Sequence, residues 1–268
     1  MALGASITYG GTFNYSFSHS ATVSLCQTNN SPPRLRHPPV QPSAPPENGR
    51  QYSQLTPQAE GSTSGNGYRS PLRQALAKTY RNPINMVGTR RNGDMRDNDV
   101  EGWPGYRIDE VRAKANARDC APYYRPNIVL VNAGTNDALQ SYDVGAAGER
   151  MERLVRDLWA ASPNAVVVLS TLLMNRAPEA QRNVVEINAQ YRALVGKLGK
   201  EGRKIQLAEM QGEKGPQGED LPDGTHPNDK GYAKMAEVWF EALRTVGERS
   251  RWVVAPDPVP GLGDDGGS

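Results

Sequence analysis

Asn127-Ile128-Val129-Leu130-Val131 is an unbroken, mostly β-branched apolar run, and it stops abruptly at Asn132-Ala133-Gly134-Thr135-Asn136-Asp137. Runs of this kind read as strands of a parallel sheet buried on both faces, and the polar string is then the loop that leaves the strand's carboxyl end. The same pattern recurs on either side. Downstream, Met151, Leu154, Val155, Leu158 and Trp159 fall on one helical face, Ala165 to Leu169 is a second buried strand closed by Ser170 and Thr171, and Ile187, Tyr191, Leu194, Val195 and Leu198 mark another helix. Ile205 to Ala208 is a last strand, and Tyr232, Met235, Ala236, Trp239, Phe240 and Leu243 define a closing helix with a wide apolar face. Upstream, Leu72, Ala75, Leu76 and Tyr80 keep helical spacing, Ile84 to Gly88 is a short strand, and Ile108, Val111 and Ala115 begin a helix after a polar loop. Strands alternating with helices predict an α/β chain, a flavodoxin-like three-layer α/β/α sandwich around a parallel sheet of about five strands.

The remaining chain is not core. From Gly11 to Gly65 the sequence is rich in Ser, Thr, Asn, Gln and Pro, with eight of the 21 prolines between Pro32 and Pro57. It is expected to be a flexible or disordered insertion. It reads as a tolerated insertion or as sequence foreign to the working protein, such as a retained intron, ahead of a lid, because it has few apolar residues with which to pack. Beyond Trp252 the chain is mostly Pro, Gly and Asp. The organisation expected is one domain over 1–10 and 66–250, an insertion over 11–65, and a tail over 251–268.

A net charge of +2, from 31 Lys and Arg against 29 Asp and Glu, gives no reason to expect a nucleic-acid or anionic-membrane partner. No apolar run is long enough to cross a bilayer, and the start of the chain lacks the regions of a signal peptide. Cys26 and Cys120 allow at most one disulfide, and unpaired thiols are expected. No metal site or cofactor is expected, and a monomer is.

Four polar segments lie at strand ends or between a strand and a helix: Leu3-Gly4-Ala5-Ser6-Ile7-Thr8, the loop ending at Gly105, Gly134 to Asp137, and Asp223-Gly224-Thr225-His226-Pro227. In a doubly wound sheet such loops converge on one edge. A serine held in a turn there needs a base for its proton and a carboxylate to orient that base. Of three histidines, His19 and His37 fall in the insertion, which leaves His226 as base and Asp223, three residues earlier, as its orienting group. Taken alone, that string is equally a helix-entry turn capped by Asn228 or Asp229; Ser6 tips it toward catalysis. Donors for a developing oxyanion would be the Ser6 and Gly105 backbone N–H groups and the Asn136 amide, although Gly105 also suits a plain Pro-Gly turn and Asn136 an Asx turn. Trp103 and Tyr106, beside that glycine, could stack on a ligand ring or fill the loop's own core.

These blocks, in this order and at opposite ends of the chain, resemble the SGNH hydrolases, or GDSL-type esterases. Gly4-Ala5-Ser6-Ile7-Thr8 matches the nucleophile block, Gly105 the glycine block, Gly134-Thr135-Asn136-Asp137 the asparagine block, and Asp223-Gly224-Thr225-His226-Pro227 the histidine block. The text from Val87-Gly88-Thr89 through Asp97-Asn98-Asp99 to Glu101-Gly102-Trp103-Pro104-Gly105 is similar to carbohydrate esterase family three, which includes acetylxylan esterases. The resemblance covers about 1–10 and 65–246. It implies Ser6 as nucleophile, His226 as general base then acid, Asp223 as orienter, and Ser6, Gly105 and Asn136 as the oxyanion hole. It also implies an acylated carbohydrate or small ester as substrate, and a secreted enzyme. A general short-chain esterase, a lysophospholipase-like hydrolase and an idle carbohydrate-binding relative are the alternatives.

The sequence departs from the family at three places. Ala5 stands where relatives carry Asp. The chain starts only a few residues before the motif, so part of the first strand and any secretion signal are expected upstream. The segment 11–65 replaces a short connection. An α/β-hydrolase is excluded because Thr8 occupies the second glycine position of Gly-x-Ser-x-Gly.

Overall fold

A computed structural model describes residues 61–80, 84–249, 252–256 and 259 in full, and the backbone of residues 3–9 and 21–27. The elements in chain order are strands β1 (Leu3–Tyr9) and β2 (Ala21–Gln27), helix α1 (Arg69–Tyr80), strands β3 (Ile84–Val87), β4 (Arg90–Arg91) and β5 (Asp99–Val100), and helices α2 (Ile108–Ala115) and α3 (Ala121–Tyr124). Strand β6 (Ile128–Asn132), helices α4 (Thr135–Leu139) and α5 (Ala147–Ala161), strand β7 (Val166–Ser170), helix α6 (Pro178–Lys200), strand β8 (Ile205–Ala208) and helix α7 (Asp229–Glu248) complete it.

The main sheet has the order β3-β1-β2-β6-β7-β8. Strands β6, β7 and β8 are parallel, with Val129 beside Val167 and Val168 beside Gln206. Alternate residues of β6 and β7 serve opposite layers. Ile128, Leu130, Val166 and Val168 face α1 and α7, whose Leu72, Leu76, Met235 and Trp239 are buried there. Val129, Val131, Val167 and Leu169 face α2, α5 and α6 through Val111, Leu154, Val155 and Ile187. Each such side chain contributes about 1.5–3 kcal/mol by leaving water. Two covered faces explain why these strands read as continuous apolar runs.

The first strand departs from expectation. The sequence reading ends it near Leu3 and places Ser6 in a turn, but β1 continues to Tyr9 and runs antiparallel to β2, β3 and β6. The sheet therefore has six strands, of which β1 alone is reversed, rather than about five in parallel. Connection length accounts for this: residues 10–20 are too few for the crossover that parallel neighbours require, so consecutive strands joined by them pair antiparallel.

The expected insertion also holds regular structure. Ala21, Val23 and Leu25 alternate with Thr22, Ser24 and Cys26, the period of a strand, and β2 lies parallel to β6 with Val23 beside Ile128 and Leu25 beside Leu130. The residues from Gly61, ahead of the expected boundary at 66, are packed on the domain. Ser62 and Asn66 are buried, the Gly67 N–H donates to Ser62 Oγ at 3.2 Å, and Thr63 Oγ1 donates to Asp229 at 2.6 Å. At Gly61, with φ of +86°, a Cβ would lie 2.2 Å from the Pro227 carbonyl oxygen, so only glycine lets the chain pass this close to α7's entrance.

Candidate active site

The loop before α7 organises itself within five residues. Asp223 Oδ1 accepts the backbone N–H groups of Thr225 at 2.8 Å and His226 at 2.7 Å, and Asp223 Oδ2 lies 2.5 Å from His226 Nδ1. Gly224 makes the turn with φ of +87°. Burial pushes the Asp223 carboxyl upward, but the hydrogen bonds from His226 and Thr225 outweigh it and hold the group below the usual carboxylate range. It stays ionised and fixes which imidazole nitrogen carries the proton toward it. Asn228 caps α7 by accepting the Gly231 N–H at 2.9 Å, while Asp229 is committed to Thr63. The string is thus a helix-entry turn and an Asp-His pair at once.

His226 lines a cleft with Asn132, Thr135, Met174, Asn175 and Thr225, at the carboxyl ends of β6 and β7. Asn175 donates to Thr225 Oγ1 at 2.9 Å, which ties the segment after β7 to the histidine loop. Sequence patterns gave no reason to single out Asn175.

The other side of the site comes from two distant loops. Gly105, with φ of +76°, closes a turn in which the Tyr106 N–H donates to the Trp103 carbonyl at 3.3 Å. Among the described residues no atom lies within 4 Å of where a Cβ would stand, so the backbone angle, not crowding by them, calls for glycine. Asn136 is buried and donates through Nδ2 to the Tyr106 carbonyl at 3.1 Å. That bond uses one of two amide hydrogens. Gly134, with φ of +117°, starts this turn, and a Cβ there would stand 2.6 Å from the Tyr191 hydroxyl.

Asp137 joins the two loops. Fully buried, it accepts the Ile108 N–H at the start of α2 and receives Arg150 Nη1 at 2.5 Å. Arg150, also buried, donates to the Tyr142 and Asp143 carbonyls as well. Burial raises the Asp137 pKa, and Arg150 opposes that shift. The signal for Arg150 was present in the sequence as a charge one helical turn before Leu154 on the apolar face of α5. Arg69 is a second buried cation of this kind, donating to the carbonyls of Gly65, Asn92 and Asn98, and burial lowers its pKa to about 10.

Trp103 and Tyr106 are half-buried, with ring centroids 5.4 Å apart. Trp103 Nε1 donates to Glu101 at 2.6 Å, and Arg90 and Lys114 lie over the indole at 4.5 and 4.2 Å. The ring is thus held by its own loop and by two cations.

The structure brings Asp223 together with His226, and Asn136 together with the Gly105 turn. The Ser6 backbone sits within β1, in register with Val129, and its side chain lies outside the described residues. His19, His37 and the Cys26 side chain lie outside them too. Cys120 is buried. Among the described residues no cluster of His, Cys, Asp and Glu is placed to hold a metal ion, and no helix is long and apolar enough to cross a membrane.

A three-layer α/β/α domain with an Asp-His pair three residues apart at its last loop, and a glycine turn hydrogen-bonded to a buried asparagine, is the architecture of the SGNH hydrolases. Residues 55–234 match the GDSL-like lipase/acylhydrolase family, and the chain belongs to it. Gly105, Asn136, Asp223 and His226 fall inside the match, and Ser6 precedes it. A multidomain esterase of Ruminococcus flavefaciens is 29% identical over 171 residues, covering 62% of this chain and 22% of that protein. The chain likewise spans 50% of a curated relative from Acetivibrio thermocellus. Among solved structures, a family 3 carbohydrate esterase of Clostridium thermocellum superposes with a TM-score of 0.61 at 23% identity, over 70% of this chain and 90% of that one. A family 3 carbohydrate esterase from Talaromyces cellulolyticus gives 0.58 at 18%, over 72% and 95%. At these identities the likeness is one of fold.

Proposed function

We propose that this chain is a serine esterase that removes acyl groups, acetyl above all, from a carbohydrate such as acetylated xylan, and that it works outside the cell. The Asp223–His226 pair carries the reading: an ionised carboxylate against Nδ1 directs Nε2 to act as base. Ser6 is the nucleophile in this scheme. Its strand pairs with β6 beside that cleft: Leu3 lies beside Asn132, which lines the cleft with His226, and Ser6 lies beside Val129, three residues further along β6. Ser6 Oγ attacks the acyl carbonyl as its proton passes to His226 Nε2. The oxyanion is met by the Ser6 and Gly105 N–H groups and Asn136 Nδ2, and the alcohol leaves with the proton from His226. Water, deprotonated by His226, then attacks the acyl-serine and releases the acid.

The neighbours named as carbohydrate esterases support the sugar ester, and the half-buried Trp103–Tyr106 pair beside Gly105 is the surface a sugar would meet. Acetate release from acetylated xylan, measured beside p-nitrophenyl acetate and butyrate, tests the reading. Acetate esters should be cleaved fastest, and Ser6→Ala should abolish turnover. Faster cleavage of the butyrate would favour a general short-chain esterase, and an unchanged rate in Ser6→Ala would remove Ser6 from the mechanism.

A further inference from the structure

Beside the Gly105 turn lie two cations that no carboxylate among the described residues pairs with. Arg90, on β4, and Lys114, on α2, reach the same Trp103 ring from separate elements, at 4.5 and 4.2 Å from its centroid, and are therefore within about 9 Å of each other. Both side chains are half-buried. The acidic groups around them are engaged elsewhere. Glu101 accepts Trp103 Nε1 through one oxygen and the Thr89 N–H and hydroxyl through the other. Asp99 pairs with Arg91, and Glu110 with Arg107. Glu101 attracts Arg90 at a distance, yet burial dominates and lowers the Arg90 pKa. Among the described residues neither Arg90 nor Lys114 forms an ion pair. Two like charges over one indole repel, so an anion at the ring's edge would relieve both.

The position gives this meaning. Trp103 opens the turn that Gly105 closes, Tyr106 packs on Trp103, and the Tyr106 carbonyl receives Asn136. Among the described residues no atom lies within 4 Å of where a Cβ of Gly105 would stand. We propose that Arg90 and Lys114 form a subsite for a carboxylate on the alcohol portion of the ester, so that the chain prefers acetyl esters on uronate-bearing carbohydrate to those on neutral carbohydrate. This rests on the esterase reading above. Arginine offers the bidentate fork and lysine the point charge for such a group.

The test compares acetylated xylo-oligosaccharides bearing or lacking a glucuronate branch, each rate divided by the same protein's rate on p-nitrophenyl acetate. The branched substrate should be favoured about tenfold in kcat/KM at low salt, and the preference should shrink as ionic strength rises. Lys114→Gln and Arg90→Gln should each bring the ratio toward one. Lys114→Glu, on the helix surface and so less exposed to folding defects than a change at Arg90, should drive it below one. Cleavage of p-nitrophenyl acetate with equal rates on the two oligosaccharides overturns the subsite alone, as does a preference that survives Lys114→Glu. A chain that cleaves none of the three esters overturns the esterase reading and this inference with it.

Discussion

The two sides of the site are built on different scales. The base side is five consecutive residues, Asp223 to Pro227, in which one carboxylate satisfies two backbone N–H groups and the imidazole. The side proposed to meet the oxyanion joins Gly105 to Asn136 through the Tyr106 carbonyl and is held by Asp137 bonded to Ile108 and Arg150, so three segments must be placed by tertiary structure. A local element can lose its chemistry and keep its shape. An assembled one should lose both together.

His226→Ala tests the first half of that contrast and should have the largest effect. Ester hydrolysis should fall by about 10⁵-fold or more, while thermal melting stays within a degree or two, since the ring's partner lies on its own loop. A fall in melting temperature comparable to a core substitution would show that the loop is not self-supporting. On the other side, Arg150→Met leaves Asp137 buried without its cation, and unfolding free energy should drop by about 3 kcal/mol. Denaturant titration measures it, and hydrolysis should weaken as α2 loosens. Asn136→Ala should lower kcat by about 10²–10³ with KM little changed, and a pure KM effect would place the amide on substrate binding instead.

Next in size is a change of connection. Joining Gly10 to Gly61 deletes β2, leaves β1 to pair with β6 alone on that side, and tethers Ser6 five residues from Gly61, which touches Pro227, so esterase rate should rise about 10²-fold. An equal or lower rate would mean that the present connection already delivers Ser6.

The smallest effect should come from Asp97, which lies on neither side. Burial pushes its pKa up to about 6 despite bonds from the Met86 N–H and Arg73. A carboxyl raised in the folded state adds stability below its unfolded pKa and loses it as pH climbs through 6. Wild type should therefore lose about 2 kcal/mol relative to Asp97→Asn between pH 4 and pH 7, read from urea midpoints at the two pH values. A gap that widens instead would reverse the sign of the shift.

The same contrast explains what the sequence made legible. Strands such as β6 announce themselves because both faces are covered, and the Asp223–His226 string because its bonds span three residues. Arg69 and Arg150 were overlooked because a lone charge is read as solvated until tertiary structure supplies the carbonyls and the carboxylate that receive it. The reversal of β1 depends on a connection length set against sheet geometry, which no local pattern reports. The alternation of β2 was short enough to be masked by the surrounding Ser and Pro.

The contact of Gly61 with Pro227 bears on how such a chain survives quality control in a cell. Each doubling of the length of chain between β1 and Gly61 adds only ~0.6 kcal/mol in closure entropy, and the contact of Gly61 with Pro227 fixes where that chain meets α7. Proteases and chaperones that monitor unfolding would pass this protein. Its fitness would be decided at the ester bond, where a single serine must arrive beside His226.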